Sequence, residues 1–405
     1  MRNFKVVLPL FITALITSSI ALGATPQVKD WTFMTYLNGN NNLDSFGTTN
    51  LQQMETVGSN DKLNIVVQWA SESRGSTQRL LVQKSTNPAN LTSPVIQDLG
   101  KVDMGDYHSL VDFVQWSVTN FPAKHYFLNI WDHGAGWHRI ELMGTGHGFK
   151  PLDISFDEVS GNHITTEQLS QSIATIAQII GHHLDIYGSD ACLMAMAEVA
   201  DEMAGNVDVY SGSEETEPGA GWPYDTFLAK WVANPDATSV QIGGYLTDAY
   251  TASYQGGTNG SSDVTFSTFD LSKTQALTDA VSKLSAKFLA LSVDEKSQVM
   301  TAAKASQAYA YADYVDMQDF LNQMQKTRVF AGSPEITNLS NAITDFVTDT
   351  KNTTKYANSH GVSFWLPTDS STYSTNADRY NALRFAKDTH WGDVLKALLG
   401  TAHNR

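Results

Sequence analysis

The chain has 405 residues, with 26 Lys and Arg against 42 Asp and Glu and a formal net charge of −16. That balance repels nucleic acid and anionic membrane surfaces, so neither is expected as a partner. An acidic surface attracts basic peptides, although it is also the ordinary state of a soluble exported protein.

Arg2 and Lys5 precede an apolar run, residues 6–20, that ends in Ala21-Leu22-Gly23-Ala24, the pattern of a secretory signal peptide. The run holds Pro9 and several Ser and Thr and is short for a spanning helix, so cleavage near Ala24 is expected rather than retention as an anchor. Residues 1–24 then form a signal peptide. The mature chain is expected to be secreted or periplasmic, free of the membrane and monomeric, and it is long enough for a large core without disulfides. Cys192 is the one cysteine, so no intramolecular disulfide can form. An unpaired thiol in an oxidising compartment is either a small buried apolar residue or a functional one.

Residues 31–37 form an aromatic and β-branched run followed by an Asn/Gly loop and a helical pattern from about Leu43. The same order recurs in KLNIVVQWA, in KHYFLNIWDHGAGW and in HHLDIYGSDACLMAMAEVA. Buried strands that end in Gly/Asn/Asp loops and alternate with amphipathic stretches predict a mainly parallel sheet with helices on both faces. Residues 76–82 and 93–99 read as an antiparallel pair beside it. The Gly/Ser-rich stretch 254–263 interrupts the chain before a further strand, VTFSTFDLS. Beyond it the periodicity predicts helices over 273–291, 313–325 and 335–351, a strand in GVSFWLP (361–367) and a last short helix. The domain reading is a catalytic α/β region over 25–255 and C-terminal strands and helices over 256–405 packed on it.

Ligands bind at the carboxyl ends of strands in open α/β sheets. Two such ends carry reactive side chains: Asp132-His133-Gly134 and Ser189-Asp190-Ala191-Cys192. The stretch 165–180 has the periodicity of a crossover helix, which would set the two strands side by side with His133 and Cys192 on one edge. A thiolate is a nucleophile, and an imidazole can take its proton or protonate a leaving group. Cys192 precedes a helical pattern over 193–204, whose N-terminus would favour a thiolate. The amides of Gly134 and Cys192 would form an oxyanion hole. Asp132 and His133 are sequence neighbours whose side chains point apart, so the site reads as a dyad.

The strings WDHGAGW (131–137), SDACLMAMAEVA (189–200) and SEETEPGAGWPYD (213–225) resemble the clostripain-like cysteine peptidases. WTFMTYLNGNNNLD, YVDMQDF and GVSFWLP resemble the family more loosely. The resemblance covers about residues 30–370 and implies a caspase-like three-layer α/β/α sandwich of the gingipain kind, with a helix-rich C-terminal part. It makes His133 the catalytic imidazole and Cys192 the nucleophile of a secreted endopeptidase that cleaves protein or peptide substrates after Arg or Lys. Asp190 matches the acid that holds the basic side chain, a role that suits a partly buried carboxylate; it also suits an N-cap on the helix after Cys192. Glu214 and Glu217 would add negative potential around a basic substrate, unless the run is a solvated loop. Members often cut themselves between His and Cys; Arg139 is the candidate, since Lys150 is followed by Pro151.

The family includes calcium-dependent members, but no EF-hand spacing supports calcium here. His182-His183, or His133 with His138, invite a metal reading; adjacent histidines rarely face one ion, and neither HExxH nor CxxC occurs, so no cofactor is expected to be required, with calcium left as an open alternative. GTGHG (144–148) imitates a dinucleotide loop without a preceding strand, and no GxSxG elbow occurs. The rival reading is an exported binding or adhesin-like protein that keeps the fold without turnover.

Overall fold

The computed structural model describes residues 27–85, 87, 90–138 and 153–400. The expected signal peptide, Arg139, Lys150 and the 144–148 loop lie outside those residues. Nine strands of the described chain form one sheet: β1 (Lys29–Gly39), β2 (Leu63–Ser71), β3 (Ser76–Leu81), β4 (Val95–Gly100), β5 (Ala123–Trp131), β6 (Leu184–Asp190), β7 (Val207–Gly212), β8 (Thr265–Asp270) and β9 (Val347–Asn352). Their order across the sheet is β9-β8-β7-β6-β5-β1-β2-β3-β4. The five central strands, β2-β1-β5-β6-β7, run parallel. Antiparallel pairs extend both flanks: β3 and β4 beside β2, β8 and β9 beside β7.

The main helices are α1 (Asp44–Val57), α2 (Tyr107–Asn120), α3 (Thr166–Ile180), α4 (Ala197–Met203), α5 (Tyr224–Ala233) and α6 (Ser239–Ser253). β2 and β6 are buried at every position, as parallel strands covered on both faces must be. The pleat divides each strand between two cores. Met34 and Tyr36 of β1 join Leu128, Ile130 and Tyr187 in the core that α2 and α3 cover with Phe113, Leu169 and Ile173. Phe33 and Leu37 face the opposite core, with Phe127, Ile186 and, from α1 and α5, Leu51, Phe227 and Trp231. α3, the crossover between β5 and β6, is bounded as its sequence predicts: a Thr165/Gln168 capping box opens it and Gly181, in the left-handed conformation, closes it.

The chain beyond residue 256 supplies β8 and β9 to the same sheet, and its helices add Leu277, Phe288, Phe320 and Trp391 to the first core. Two of the expected helices there are shorter than their periodicity suggests. Residues Tyr314–Asp316 form a strand against Ser363–Trp365 before the helix Met317–Gln325 begins. The helix Pro334–Phe346 stops where Val347 enters β9, because pairing with β8 offers those backbone groups partners that the local pattern does not reveal.

Candidate active site

β5 and β6 lie side by side with Trp131 opposite Asp190, so the turns that follow them leave the sheet at the same edge. His133 and Cys192 line one cavity there, of about 250 Å³, together with Asp190, Glu217 and Gly221. The two turns are tightly seamed. The Asp132 amide donates to the Asp190 carbonyl at 3.2 Å, and a Cβ on Gly134 would stand 2.5 Å from the Cys192 carbonyl oxygen. Only glycine permits that approach. Among the described residues no backbone carbonyl accepts from the Gly134 or Cys192 amide.

The helix expected over 193–204 begins four residues later, at Ala197, with Met196 as an N-cap that makes no side-chain hydrogen bond. Its N-terminus therefore does not stand at the thiol, and Asp190 is not its cap. The reason lies far away in sequence. Leu193 adopts φ +64, its amide donates to the Glu215 carbonyl at 3.1 Å, and Ala195 exchanges with Ser213 and Ser363: its amide donates to the Ser213 carbonyl at 2.9 Å and its carbonyl accepts from Ser363 at 3.0 Å. The segment after Cys192 is thus held extended between the end of β7 and a C-terminal strand. A non-glycine residue in the left-handed region is a local cost that the surrounding pairing sustains.

Cys192 is half-buried. The Glu217 amide donates to its Sγ at 3.3 Å, and the thiol reaches the Glu217 carbonyl at 3.7 Å. Burial pushes the thiol up to about 11; the charges of Glu215 and Asp190 add to the rise, and the Glu217 amide opposes it. Burial pushes the His133 imidazole down to about 4. These shifts favour a neutral thiol and a neutral imidazole at neutral pH over an ion pair.

Asp132 is fully engaged elsewhere: its carboxylate accepts from Asn38 at 2.8 Å, from Asn41 at 2.6 Å and from the His133 amide at 2.6 Å. It fixes the turn on which the imidazole stands. His133 Nε2 lies 2.7 Å from Asn42 Oδ1.

The floor of the cavity is acidic. Asp190 is buried, accepts from the Tyr224 hydroxyl at 2.6 Å and the Trp222 amide at 3.3 Å, and is pushed up to about 6 by burial. Gly221, at φ +63, lies against it: a Cβ there would stand 2.9 Å from the carboxylate. Glu217 stands beside Asp190. Both of its carboxylate oxygens are buried; Asp190 and the Tyr250 hydroxyl face them, neither within ordinary hydrogen-bond length, and burial, then the Asp190 charge, push its carboxyl well up. Asp190 and Glu217 thus set two interacting carboxyls against one cavity, with few donors among the described residues for two charges.

Glu214, expected beside them, is not part of this floor. It points away from the cavity into a sealed cluster, where Oε2 accepts from the Gly361 amide at 3.2 Å. Asp316 faces it there and accepts from the amides of Asp319 at 2.6 Å and His360 at 2.5 Å. The expected acidic run thus splits: the chain after β7 turns, and Glu214 and Glu217 serve opposite sides of it.

Three contributors escaped the sequence reading. Asn42 lies in a loop legible only as a turn, although its Asn-rich composition signalled side-chain hydrogen bonding to backbone. Tyr224 and Gly221 lie within SEETEPGAGWPYD, a string whose resemblance to the family assigns no role to either residue.

The model of the clostripain family of C11 peptidases matches residues 35–397. Among solved structures, a secreted C11 cysteine protease from Bacteroides thetaiotaomicron, in complex with an irreversible peptide inhibitor, superposes with a TM-score of 0.70 at 17% identity, covering 90% of this chain and 99% of that one. An inactive zymogen C11 protease from Parabacteroides distasonis gives a TM-score of 0.67 at 17% identity, with the same coverage of each chain. These likenesses carry the caspase-like α/β/α fold. No curated protein sequence matches the chain. With the family model spanning nearly its whole length, the chain belongs to the clostripain family of cysteine peptidases.

Proposed function

We propose that the protein is an exported endopeptidase that cleaves after arginine or lysine, with Cys192 as nucleophile and His133 as general base and acid. The observation that carries the specificity is the pair Asp190 and Glu217 on the floor of the cavity that Cys192 lines. A guanidinium or ammonium entering there would supply the donors that these buried carboxyls lack. An apolar side chain would leave them unpaired at a cost of several kcal/mol, roughly 2–5.

The chemistry follows from the same geometry. The Cys192 thiol gives its proton to His133, and the sulfur attacks the carbonyl carbon of the basic residue. The developing oxyanion takes the Gly134 and Cys192 amides as donors. His133 returns the proton to the departing amine, leaving a thioester acyl-enzyme. His133 then deprotonates a water that attacks the thioester, and the thiol is regenerated. No metal enters any step, and activity in a chelator is expected.

Export rests on the N-terminal pattern of residues 1–24, and no helix among the described residues is long and apolar enough to cross a membrane. Self-cleavage after Arg139 remains part of the reading. It would place a basic side chain in the same pocket. A binding protein without turnover has no observation in its favour.

The deciding experiment is a panel of peptide amides that differ only in the residue before the scissile bond, run on wild type and Cys192→Ala. Hydrolysis of arginyl and lysyl amides, lost in Cys192→Ala by about four orders of magnitude or more, is expected. Equal hydrolysis of leucyl and arginyl amides would overturn the specificity, and an active Cys192→Ala would overturn the mechanism.

A further inference from the structure

We propose that Asn42 is the positioning residue of this active site: its side-chain carbonyl fixes the tautomer and orientation of the His133 imidazole, completing a Cys-His-Asn arrangement. This rests on the Cys192 and His133 reading and goes beyond it.

The geometry is direct, since Asn42 Oδ1 lies 2.7 Å from His133 Nε2. An amide oxygen only accepts, so Nε2 carries the hydrogen and donates it. That leaves Nδ1 with the lone pair required of a base. The Asn42 side chain is exposed, but the loop that carries it is not free to drift. Asn40 Nδ2 donates to Asp157 at 2.7 Å, Asn41 Nδ2 donates to Asp132 at 2.6 Å, and the Leu43 amide donates to Asn41 Oδ1 at 2.9 Å. Asn42 is thereby held next to Asn41, which is itself tied to Asp132 in the turn bearing His133, in a loop that Asn40 anchors to Asp157.

The natural rival for the role is Asp132, and its carboxylate is spent. It accepts from Asn38, Asn41 and the His133 amide, and none of these contacts touches the ring. A neutral amide also fits the electrostatics better than a carboxylate would. Among the described residues, the titratable groups around the imidazole are Cys192, Asp190 and Glu217 across the cavity and Asp132 beneath it. Three of these are acids already crowded into a buried space. A further carboxylate on the ring would favour its protonated form and narrow the pH range over which it serves as a base. An asparagine orients the ring without charging it, and its carbonyl still stabilises the N–H when the imidazolium forms during attack.

The test is the pH profile of kcat, at saturating arginyl amide, for wild type, Asn42→Ala and Asn42→Asp. Saturation keeps the acidic floor occupied, so the acid limb reports the imidazole. Asn42→Ala should lower kcat roughly ten- to a hundredfold with KM little changed, because the ring loses its orientation and not its substrate. Asn42→Asp should restore part of that loss and move the acid limb upward by about one pH unit or more, since an adjacent carboxylate favours the imidazolium. A merely structural asparagine would lower stability and leave the limb in place. The role is overturned if Asn42→Ala keeps wild-type kcat, or if Asn42→Asp leaves the acid limb unmoved. Cys192→Ala separates the two levels of the argument: activity retained there breaks the dyad itself, whereas an unchanged Asn42 series breaks only this extension.

Discussion

Two buried carboxyl pairs stand on either side of the turn that follows β7, and they have opposite fates. Glu214 and Asp316 are sealed, with backbone amides of Gly361, Asp319 and His360 directed at their oxygens. Asp190 and Glu217 line a cavity, which Glu214 does not, although each pair includes a glutamate oxygen without a hydrogen bond of ordinary length among the described residues. Burial raises the proton affinity of Glu214, Asp190 and Glu217 alike. The pKa direction therefore does not separate a structural acid from a binding one. What separates them is access: only Asp190 and Glu217 line a cavity that a ligand could enter.

The sharpest break of that contrast is Asp190→Asn. The amide keeps an acceptor for Tyr224 and Trp222 but removes the charge, so kcat/KM toward arginyl amides should fall by about 3 kcal/mol, on the order of a hundredfold. The melting temperature should hold. If preference for basic residues survived at full strength, the open pair would be as structural as the sealed one. Glu214→Leu is the mirror experiment. It leaves the buried Gly361 amide without its acceptor, which should cost about 2 kcal/mol of stability, while KM for the same amide stays put. A raised KM with unchanged denaturation would assign Glu214 to the substrate after all.

These two residues also mark the limits of what the chain reveals by itself. Strands β1, β5 and β6, the crossover α3 and the edge that joins His133 to Cys192 are local matters of run length, capping and loop chemistry, and they are legible. The split between Glu214 and Glu217 is not, because three residues in a loop carry no period that says which way each side chain turns. The late start of α4 is hidden for a different reason. The sequence 193–204 has helical character, but Ser363, about 170 residues away, pairs with Ala195 and holds the first residues extended. Tertiary pairing overrides propensity there. Asn42 was visible as a turn residue and invisible as a partner of His133, since a contact across 91 positions leaves no local trace.

Acid titration should draw the two pairs apart once more. Asp190, pushed up to about 6, is a carboxylate above that pH and binds a cation; below it, the cation must displace a proton. KM for arginyl amides should accordingly rise as pH falls through about 6, approaching tenfold for each further unit. Over the same range kcat at saturation should stay level, because the His133 imidazole, pushed down to about 4, remains a free base. Stability moves the other way for the sealed pair. The raised pKa of Glu214 means that its contribution is fully present below its ordinary value near 4.5 and is lost as pH climbs toward the folded value. Between pH 6 and 5 the protein should therefore bind substrate less well without melting earlier, and parallel measurement of KM, kcat and melting temperature checks all three. If the melting temperature fell as KM rose in acid, the loss would be unfolding, and the open carboxyls would have no claim to the pH dependence.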